Sequence, residues 1–380
     1  MESFCPREKK IAMLGGGQLG RMLIQAATDL NLQISVLDPD PLAPCRHLTP
    51  RFLLGDLMDE KTVYDFCKNS DIVTIEIEHV NINALKRLEN EGKKVYPQPE
   101  IIEIIQDKGT QKMFYQRNEI PTPDFFVIEN KSQIEKYASF FPLYQKLRRG
   151  GYDGKGVKRL HNPKDLSDAF DEPSVLEMLV DFEKEISVIV ARDIDGNMKC
   201  FPVVECEFNR EANLVEFLFS PAKIKKSLEE QAYKIAKKTA EKMGIVGLLA
   251  VEMFVTKDDK VLVNEVAPRP HNSGHHTIEA NKISQFEQHL RAITGLPLGD
   301  PGILLPGVMV NLLGGKGKSG AAQFKGLDQI MSISGVYVHL YGKEVTKPFR
   351  KMGHVTIVDE NLEVARVKAK KVKDILKVTT

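Results

Sequence analysis

The sequence predicts a mixed α/β and α+β protein of two or three domains, and three observations carry that reading. A strand, a glycine-rich turn, a helix and a second strand follow one another near the N-terminus. A second glycine-rich loop, studded with cations, lies between two short strands in the middle of the chain. Further on, a β-hairpin carries a glutamate on each arm. At 380 residues the chain exceeds what one hydrophobic core usually serves, so it should divide.

Composition narrows the function classes. Hydrophobic residues make up 42% and charged residues 28%, the balance of an ordinary globular protein. A formal net charge of +1 supplies no global field toward nucleic acid or a membrane surface. The five cysteines, Cys5, Cys45, Cys67, Cys200 and Cys206, form no C-x-x-C pair, which suits free thiols in a reducing cytoplasm. No apolar run is long enough to span a bilayer, and the polar N-terminus leads into a strand without a secretory signal pattern. The lysines near the C-terminus accompany Leu362, Ala365, Ala369, Val372 and Leu376 at helical spacing, so a solvated helix face is expected there.

The elements follow in order. Ile11–Leu14 is a strand feeding Gly15-Gly-Gly17-Gln18-Leu19-Gly20, with Met22, Leu23, Ala26 and Ala27 on one face of the helix beyond. The next strand, Gln33–Leu37, ends at Asp38, 18 residues past Gly20, which completes a dinucleotide fingerprint. Any such helix N-terminus also holds the phosphate of another nucleotide, so the motif alone does not choose. The strand from Asp71 ends in Glu76-Ile-Glu78, whose spacing of two puts both carboxylates on one side. After Tyr96-Pro-Gln-Pro99 a helix runs to Gln106, and the first domain boundary falls near Asp107.

Asp107 opens a helix that Pro121 and Pro123 close. The strand Leu143–Lys146 delivers Arg148-Arg-Gly150-Gly151-Tyr152-Asp153-Gly154-Lys155-Gly156, a loop whose backbone N–H groups and cations suit phosphate oxygens. Val175–Val180 is a strand or connector, and Ile186–Ala191 a strand with a turn at Asp195-Gly196. A helix from Leu228 to Met243 stops at Gly244.

The arms Gly247–Val255 and Val261–Val266 flank the turn Lys257-Asp-Asp-Lys260. A hairpin centred between Asp258 and Asp259 sets Glu252 opposite Glu265, with Cβ atoms about 5 Å apart. Facing carboxylates repel, so a divalent cation or a raised pKa is required; oxygen ligands, with Asn264 nearby, suit magnesium. The following Arg269-Pro-His271-Asn272-Ser-Gly-His275-His276 could suggest zinc. Pro270 and Gly274 argue against the helix that would converge its histidines, so an anion pocket at Arg269 and His271 is preferred. Lys343 and Arg350 follow a strand and could take a second phosphate.

No Walker A motif or kinase catalytic loop is present. The chain resembles the ATP-grasp superfamily and, within it, the 5-(carboxyamino)imidazole ribonucleotide synthases of purine biosynthesis. The resemblance rests on Gly15–Met22, Glu76-Ile-Glu78, Gly151–Gly156, Asn264–Thr277 and Arg350–His354, and runs nearly the whole chain. It implies an ATP-grasp fold in three domains: a Rossmann-like open sheet over 1–106, a small flap domain over 107–182 and, over 183–380, a mixed sheet with a metal site and a β-rich tail.

It also implies the site residues. Lys108 and Lys146 would contact the ATP phosphates, and Gly151, Tyr152, Asp153, Gly154, Lys155 and Gly156 would cover them. Glu177, Met178, Leu179 and Val180 would border the adenine, and Glu185 would take the ribose. Asn264 and Glu265 would close the ATP site, with Glu252 and Glu265 holding magnesium or manganese. Lys155, Arg269, His271 and Asn272 would be catalytic. Gln18, Leu19, Glu76, Glu78, Tyr152, Asp153, Lys343 and Arg350 would bind the ribonucleotide. The implied reaction phosphorylates bicarbonate to carboxyphosphate and transfers the carboxyl group to the amine of 5-aminoimidazole ribonucleotide. A cytoplasmic homodimer that passes its product to a mutase is the expected setting.

Two positions depart from the family pattern. Glu205-Cys-Glu-Phe208 stands where Glu-Asn-x-His is common, and Phe208 cannot donate a hydrogen bond; His79 replaces a usual Asn. The rival functions are a formate-dependent glycinamide ribonucleotide transformylase, an NAD-dependent dehydrogenase and a non-catalytic ATP-binding protein. The segments at Pro268–Thr277 and Arg350–His354 argue against the first, and the unexplained Glu252/Glu265 pair argues against the second. A biotin-dependent carboxylase is set aside because no Ala-Met-Lys-Met acceptor occurs.

Overall fold

The computed structural model describes residues 5–6, 9–151, 156–209, 214–317 and 319–380. The N-terminal strands β1 (Lys10–Leu14), β2 (Gln33–Asp38), β3 (Phe52–Leu54), β4 (Ile72–Ile75) and β5 (Lys94–Val95) form a parallel sheet in the order β3-β2-β1-β4-β5. The helices are α1 (Gln18–Asp29), α2 (Glu60–Cys67), α3 (Ile82–Asn90) and α4 (Pro99–Gln106). Ile11–Leu14 of β1 are all apolar and buried because both sheet faces are covered at the centre of the sheet. The strand order reverses between β1 and β4, so the crevice at their C-terminal ends is where a ligand is expected.

Helix α5 (Lys108–Arg117) is capped by Asp107, whose carboxylate accepts from the Gly109 and Thr110 N–H groups. A four-stranded antiparallel sheet follows, β6 (Phe125–Ile128), β7 (Leu143–Leu147), β8 (Val157–Leu160) and β9 (Ser174–Met178), in the order β6-β9-β7-β8.

The largest sheet gathers β10 (Phe182–Arg192), β11 (Met198–Cys200), β12 (Val204–Asn209), β13 (Leu214–Ser220), β14 (Gly247–Thr256), β15 (Val261–Ala267) and β16 (Gly307–Leu313). After the short β17 (Gly320–Ala321) and β18 (Gln323–Lys325), it adds β19 (Val336–Leu340) and, past β20 (Val345–Thr346), β21 (Lys351–Val358); β22 (Lys377–Thr379) pairs with β18. Its helices are α6 (Lys226–Met243), α7 (Thr277–Ala280), α8 (Gln285–Thr294), α9 (Leu327–Met331) and α10 (Leu362–Ile375).

The two faces of this sheet differ, and strand alternation explains how. Ile186, Val188 and Val190 of β10 pack with Leu249, Val251 and Met253 of β14 under α6. The alternate residues, Glu185 and Ser187 on β10 and Glu252 on β14, therefore turn to the other face, where the site is built. At the far end of the sheet, α10 covers the apolar side of β16 and β21.

The hairpin of β14 and β15 corrects one detail of the sequence reading. Val255 pairs with Val261 and Met253 with Val263, so the turn is centred on Asp258 rather than between Asp258 and Asp259. The register then shifts at a bulge between Glu252 and Met253, which restores the expected pairing of Glu252 with Glu265. Asn264 is the extra residue. Val263 and Val266 both enter the α6 core, so Asn264 and Glu265 both turn toward the site.

Candidate active site

The glycine loop after β1 does not hold an open anion site. Gly15 takes φ +100°, which a side chain would resist, and the loop folds around a carboxylate of its own chain. Glu76 accepts the Leu19 N–H at 3.1 Å, and a Cβ on Gly15 or Gly17 would collide with Glu76. Asp38, which the dinucleotide fingerprint would place on a ribose, instead accepts the N–H groups of Gly16 at 2.6 Å and Asp40 at 2.7 Å. Burial pushes the Glu76 carboxyl up to about 7, against the pull of Arg269 and the Leu19 N–H.

Around this loop several distant segments converge. Lys343 donates to Gln18 Oε1 at 2.9 Å and to the Lys351 carbonyl at 2.9 Å. Arg269 forks onto Glu78, Nε to Oε1 at 2.9 Å and Nη2 to Oε2 at 3.0 Å. The structure thus pairs a residue expected on an anion with one expected on the ribonucleotide, which locks the 269–276 loop onto the N-terminal sheet. Arg350 lies nearby in sequence but donates to the Val345 carbonyl of its own loop.

His271 joins this half of the cleft to the other. Its Nε2 lies 3.5 Å from Glu252, and its Nδ1 meets Ser273 Oγ at 2.9 Å, which in turn meets Ser187 Oγ of β10 at 2.9 Å. Gln285 of α8 clamps the His271 backbone, accepting its N–H at 2.8 Å and donating to its carbonyl at 2.7 Å. Both amide atoms of Asn272 are buried with no protein partner among the described residues. His275 lies tilted against His354, ring centroids 4.7 Å apart.

On the far side stand the groups expected at ATP. Lys108 donates to Glu265 Oε2 at 3.0 Å, and Lys146 to Asn264 Oδ1 at 3.1 Å. Lys108 holds the Glu265 carboxyl well below its usual range, whereas burial and then the Glu265 charge push Glu252 up. Two facing carboxylates that cannot both ionise cheaply, joined by an amide oxygen, form an oxygen-only donor set that fits a hard divalent cation. Glu185 shares this face, and burial raises it to about 7.

Met178 ends β9, while Leu179 and Val180 form the connector to β10. The base of the glycine-rich loop is closed by Leu147 N–H donating to the Gly156 carbonyl at 2.8 Å, and Gly151 lies against Gly156. Tyr152, Asp153, Gly154 and Lys155 lie outside the described residues.

Glu177 differs from expectation in its side chain. It points at two ammonium groups, Lys112 at 3.0 Å and Lys146 at 2.7 Å, and is buried between them, so only its backbone remains to border a base. Lys112 escaped the sequence reading, although its place one turn after Lys108 on α5 puts both on one helix face. Ser187 and Gln285 carry no local signal. Phe208, the departure from the family pattern, packs with Cys206 and Val215.

Comparison with known proteins gives the same picture. Residues 8–106 match the ribonucleotide synthetase preATP-grasp domain, 113–286 the ATP-grasp domain and 307–368 the phosphoribosylaminoimidazole carboxylase C-terminal domain. The chain is 35% identical to the N5-carboxyaminoimidazole ribonucleotide synthase of Bacillus subtilis, over 92% of this chain and 91% of that protein. It is 39% identical to the chloroplastic phosphoribosylaminoimidazole carboxylase of Vigna aconitifolia, covering 93% of this chain but 65% of the plant protein. This chain therefore spans about two thirds of the plant relative's length. Among solved structures, N5-carboxyaminoimidazole ribonucleotide synthetase from Thermotoga maritima superposes with a TM-score of 0.90 at 43% identity, over 98% of this chain and 99% of that one. The Aspergillus clavatus synthase in complex with ADP and 5-aminoimidazole ribonucleotide gives 0.89 at 31% identity, over 97% and 99%.

Proposed function

The chain belongs to the N5-carboxyaminoimidazole ribonucleotide synthases of the ATP-grasp family, and from that premise we propose how its own residues join bicarbonate to an amine. The substrates are ATP, bicarbonate and 5-aminoimidazole ribonucleotide. The products are the N5-carboxylated ribonucleotide, ADP and phosphate. One observation carries the reading. The segment Arg269-Pro-His271 touches Glu78 at one end and Glu252 at the other, so a single cleft joins a ribonucleotide half to a phosphoryl-transfer half.

In the phosphoryl half, Lys108 and Lys146 would leave their carboxylate and amide partners for the ATP phosphates as charge builds on the transferring oxygens. Gly151 to Gly156, with Tyr152, Asp153 and Lys155, would cover them. Met178 to Val180 would border the adenine and Glu185 would hold the ribose. Glu252 and Glu265, with Asn264, would hold magnesium, or manganese in its place; the ion would neutralise phosphate charge. Bicarbonate attacks the γ-phosphorus, ADP leaves and carboxyphosphate forms. Arg269, His271 and Asn272 would hold this anhydride away from water. The substrate amine then attacks its carbonyl carbon, phosphate departs and the amine gives up a proton. Gln18, Leu19, Glu76 and Glu78 would orient the ribonucleotide, and Lys343 and Arg350 its phosphate. We take the working form to be a cytoplasmic homodimer that passes its labile product to a mutase.

The deciding experiment measures ADP release with magnesium-ATP, adding bicarbonate and the ribonucleotide singly and together. Release that needs the ribonucleotide and consumes bicarbonate is expected. Release with formate and glycinamide ribonucleotide, and not with these substrates, would overturn it. Glu265→Ala should lower kcat by at least about a hundredfold.

A further inference from the structure

We propose that Lys112 is a positioning residue for ATP binding, acting through Glu177 on the phosphate-side lysine Lys146. The proposal rests on the reading of Lys146 as an ATP ligand. Lys112 is one of the most deeply buried lysines of the site: its side chain is 3% exposed, against 14% for Lys146 and 22% for Lys108. An ammonium so buried is retained only where it is paired, and the pairing is directional here. Lys112 Nζ lies 3.0 Å from Glu177 Oε1 and 2.6 Å from Thr122 Oγ1, and the Thr122 hydroxyl donates to the Val263 carbonyl at 2.8 Å. Lys112 therefore links α5 to β9 and, through Thr122, to the strand that presents Asn264 and Glu265.

The other carboxylate oxygen does the positioning. Glu177 Oε2 is 2.7 Å from Lys146 Nζ, which also reaches Asn264 Oδ1 at 3.1 Å. One carboxylate is thus shared between a lysine behind the site and a lysine facing the cleft. Against a burial that raises it, Lys146 and then Lys112 hold the Glu177 carboxyl down to about 2, so it stays ionised. With Lys112 neutral, the whole of that charge would fall on Lys146. Both oxygens would then compete with the ATP phosphates for a single ammonium, in a site where water screens little. With Lys112 charged, Glu177 steadies Lys146 without capturing it.

The groups facing Lys112 are Glu177 from β9, Lys146 from β7, Thr122 from the linker, and Lys108 and the Tyr115 ring from its own helix. Burial pushes Lys112 down to about 8 in spite of Glu177, so the unmodified protein loses this charge at moderately alkaline pH.

The test is equilibrium binding of magnesium-ATP to the full chain from about pH 7 to 9.5. Wild type should weaken about tenfold as pH rises through the Lys112 value, the size expected for one misplaced charge-assisted hydrogen bond. Lys112→Met should bind about tenfold more weakly at pH 7 and show no further fall, while its affinity for the ribonucleotide stays unchanged. Wild-type binding that is flat with pH, or Lys112→Met binding that keeps the slope, would overturn the proposal. Should Lys112→Met fail to fold, Glu177→Gln replaces it, because without that charge the alkaline slope should vanish; a slope that persists there is equally fatal. Lys146→Met is the control for the underlying assignment. If it binds ATP normally, the reading of Lys146 is wrong, which differs from a loss confined to Lys146→Met with Lys112→Met unaffected.

Discussion

The Glu76 carboxylate sits against Gly15 and Gly17 and accepts the N–H of Leu19, in the first turn of α1, at 3.1 Å. The glycine spacing was legible because it is local. Its occupant was not, because the partner arrives from β4, 57 residues later. The same limit hid Lys112, whose meaning depends on Glu177 of β9, while the hairpin marked Glu265 and the family resemblance pointed to Lys108 and Lys146. Glu76 also leads to a stability prediction. Burial raises its carboxyl to about 7, above the ordinary value of 4.5, so between these pH values the folded chain binds more protons than the unfolded one. Stability must then fall as pH rises across that window and level off above it. In Glu76→Gln the amide oxygen would still accept the Leu19 N–H without carrying charge. Thermal denaturation of Glu76→Gln should match wild type near pH 4.5 and show the variant more stable by about 1–3 kcal/mol at pH 8.5. A difference that does not change with pH would refute this origin.

The bulge in β15 is the element on which the phosphoryl half depends. In a regular strand Val263 and Glu265 would share a face and Asn264 would oppose them. With the bulge, Val263 and Val266 enter the core under α6, and the two polar residues between them face Lys146 and Lys108. The alternation of apolar residues announced the hairpin and the facing glutamates, but nothing in Val-Leu-Val-Asn-Glu-Val marks an extra residue. The expected pairing was reached with the turn centre half a residue out, and the bulge made up the difference. Deleting Asn264 and truncating it should therefore have like effects, because each removes only the extra amide. Asn264→Ala leaves Glu265 in place and removes one partner of Lys146, so kcat/KM for ATP should fall about tenfold. Deletion closes the bulge but leaves Glu265 between core-facing Val263 and Val266 in regular alternation, still paired with Glu252, so turnover should persist and kcat/KM for ATP should again fall about tenfold. Loss of turnover in the deletion alone, at matched helical circular dichroism, would show that Glu265 needs the bulge to face the site.

At the scale of the whole molecule, the cleft has two walls from parts of the chain that share a core. Leu19, Met22 and Leu23 of α1 pack with Phe286, Leu290 and Ile293 of α8, and Thr74 of β4 meets His289 Nε2 at 3.0 Å. The Arg269–Glu78 and Lys343–Gln18 contacts cross the same boundary. The apolar stripe of α1 was visible in the sequence, but its partner α8 was not singled out, and which stripe meets which is set by topology, not by spacing. The four-stranded sheet keeps a separate small core of Ile128, Ile134, Leu143, Leu160 and Leu176. The expectation is two stability units, with the N-terminal and large sheets opening together. Phe286 is 1% exposed within the shared core, and its replacement by Ala should cost about 3–5 kcal/mol. Amide hydrogen exchange on Phe286→Ala should then quicken in α1 and β1 as well as in α8 and β14, with β7 and β9 unchanged. Faster exchange confined to α8 and β14 would mean that the two walls hold their shape independently. The substrates themselves, rather than the shared core, would then have to bring the ribonucleotide half against the phosphoryl half.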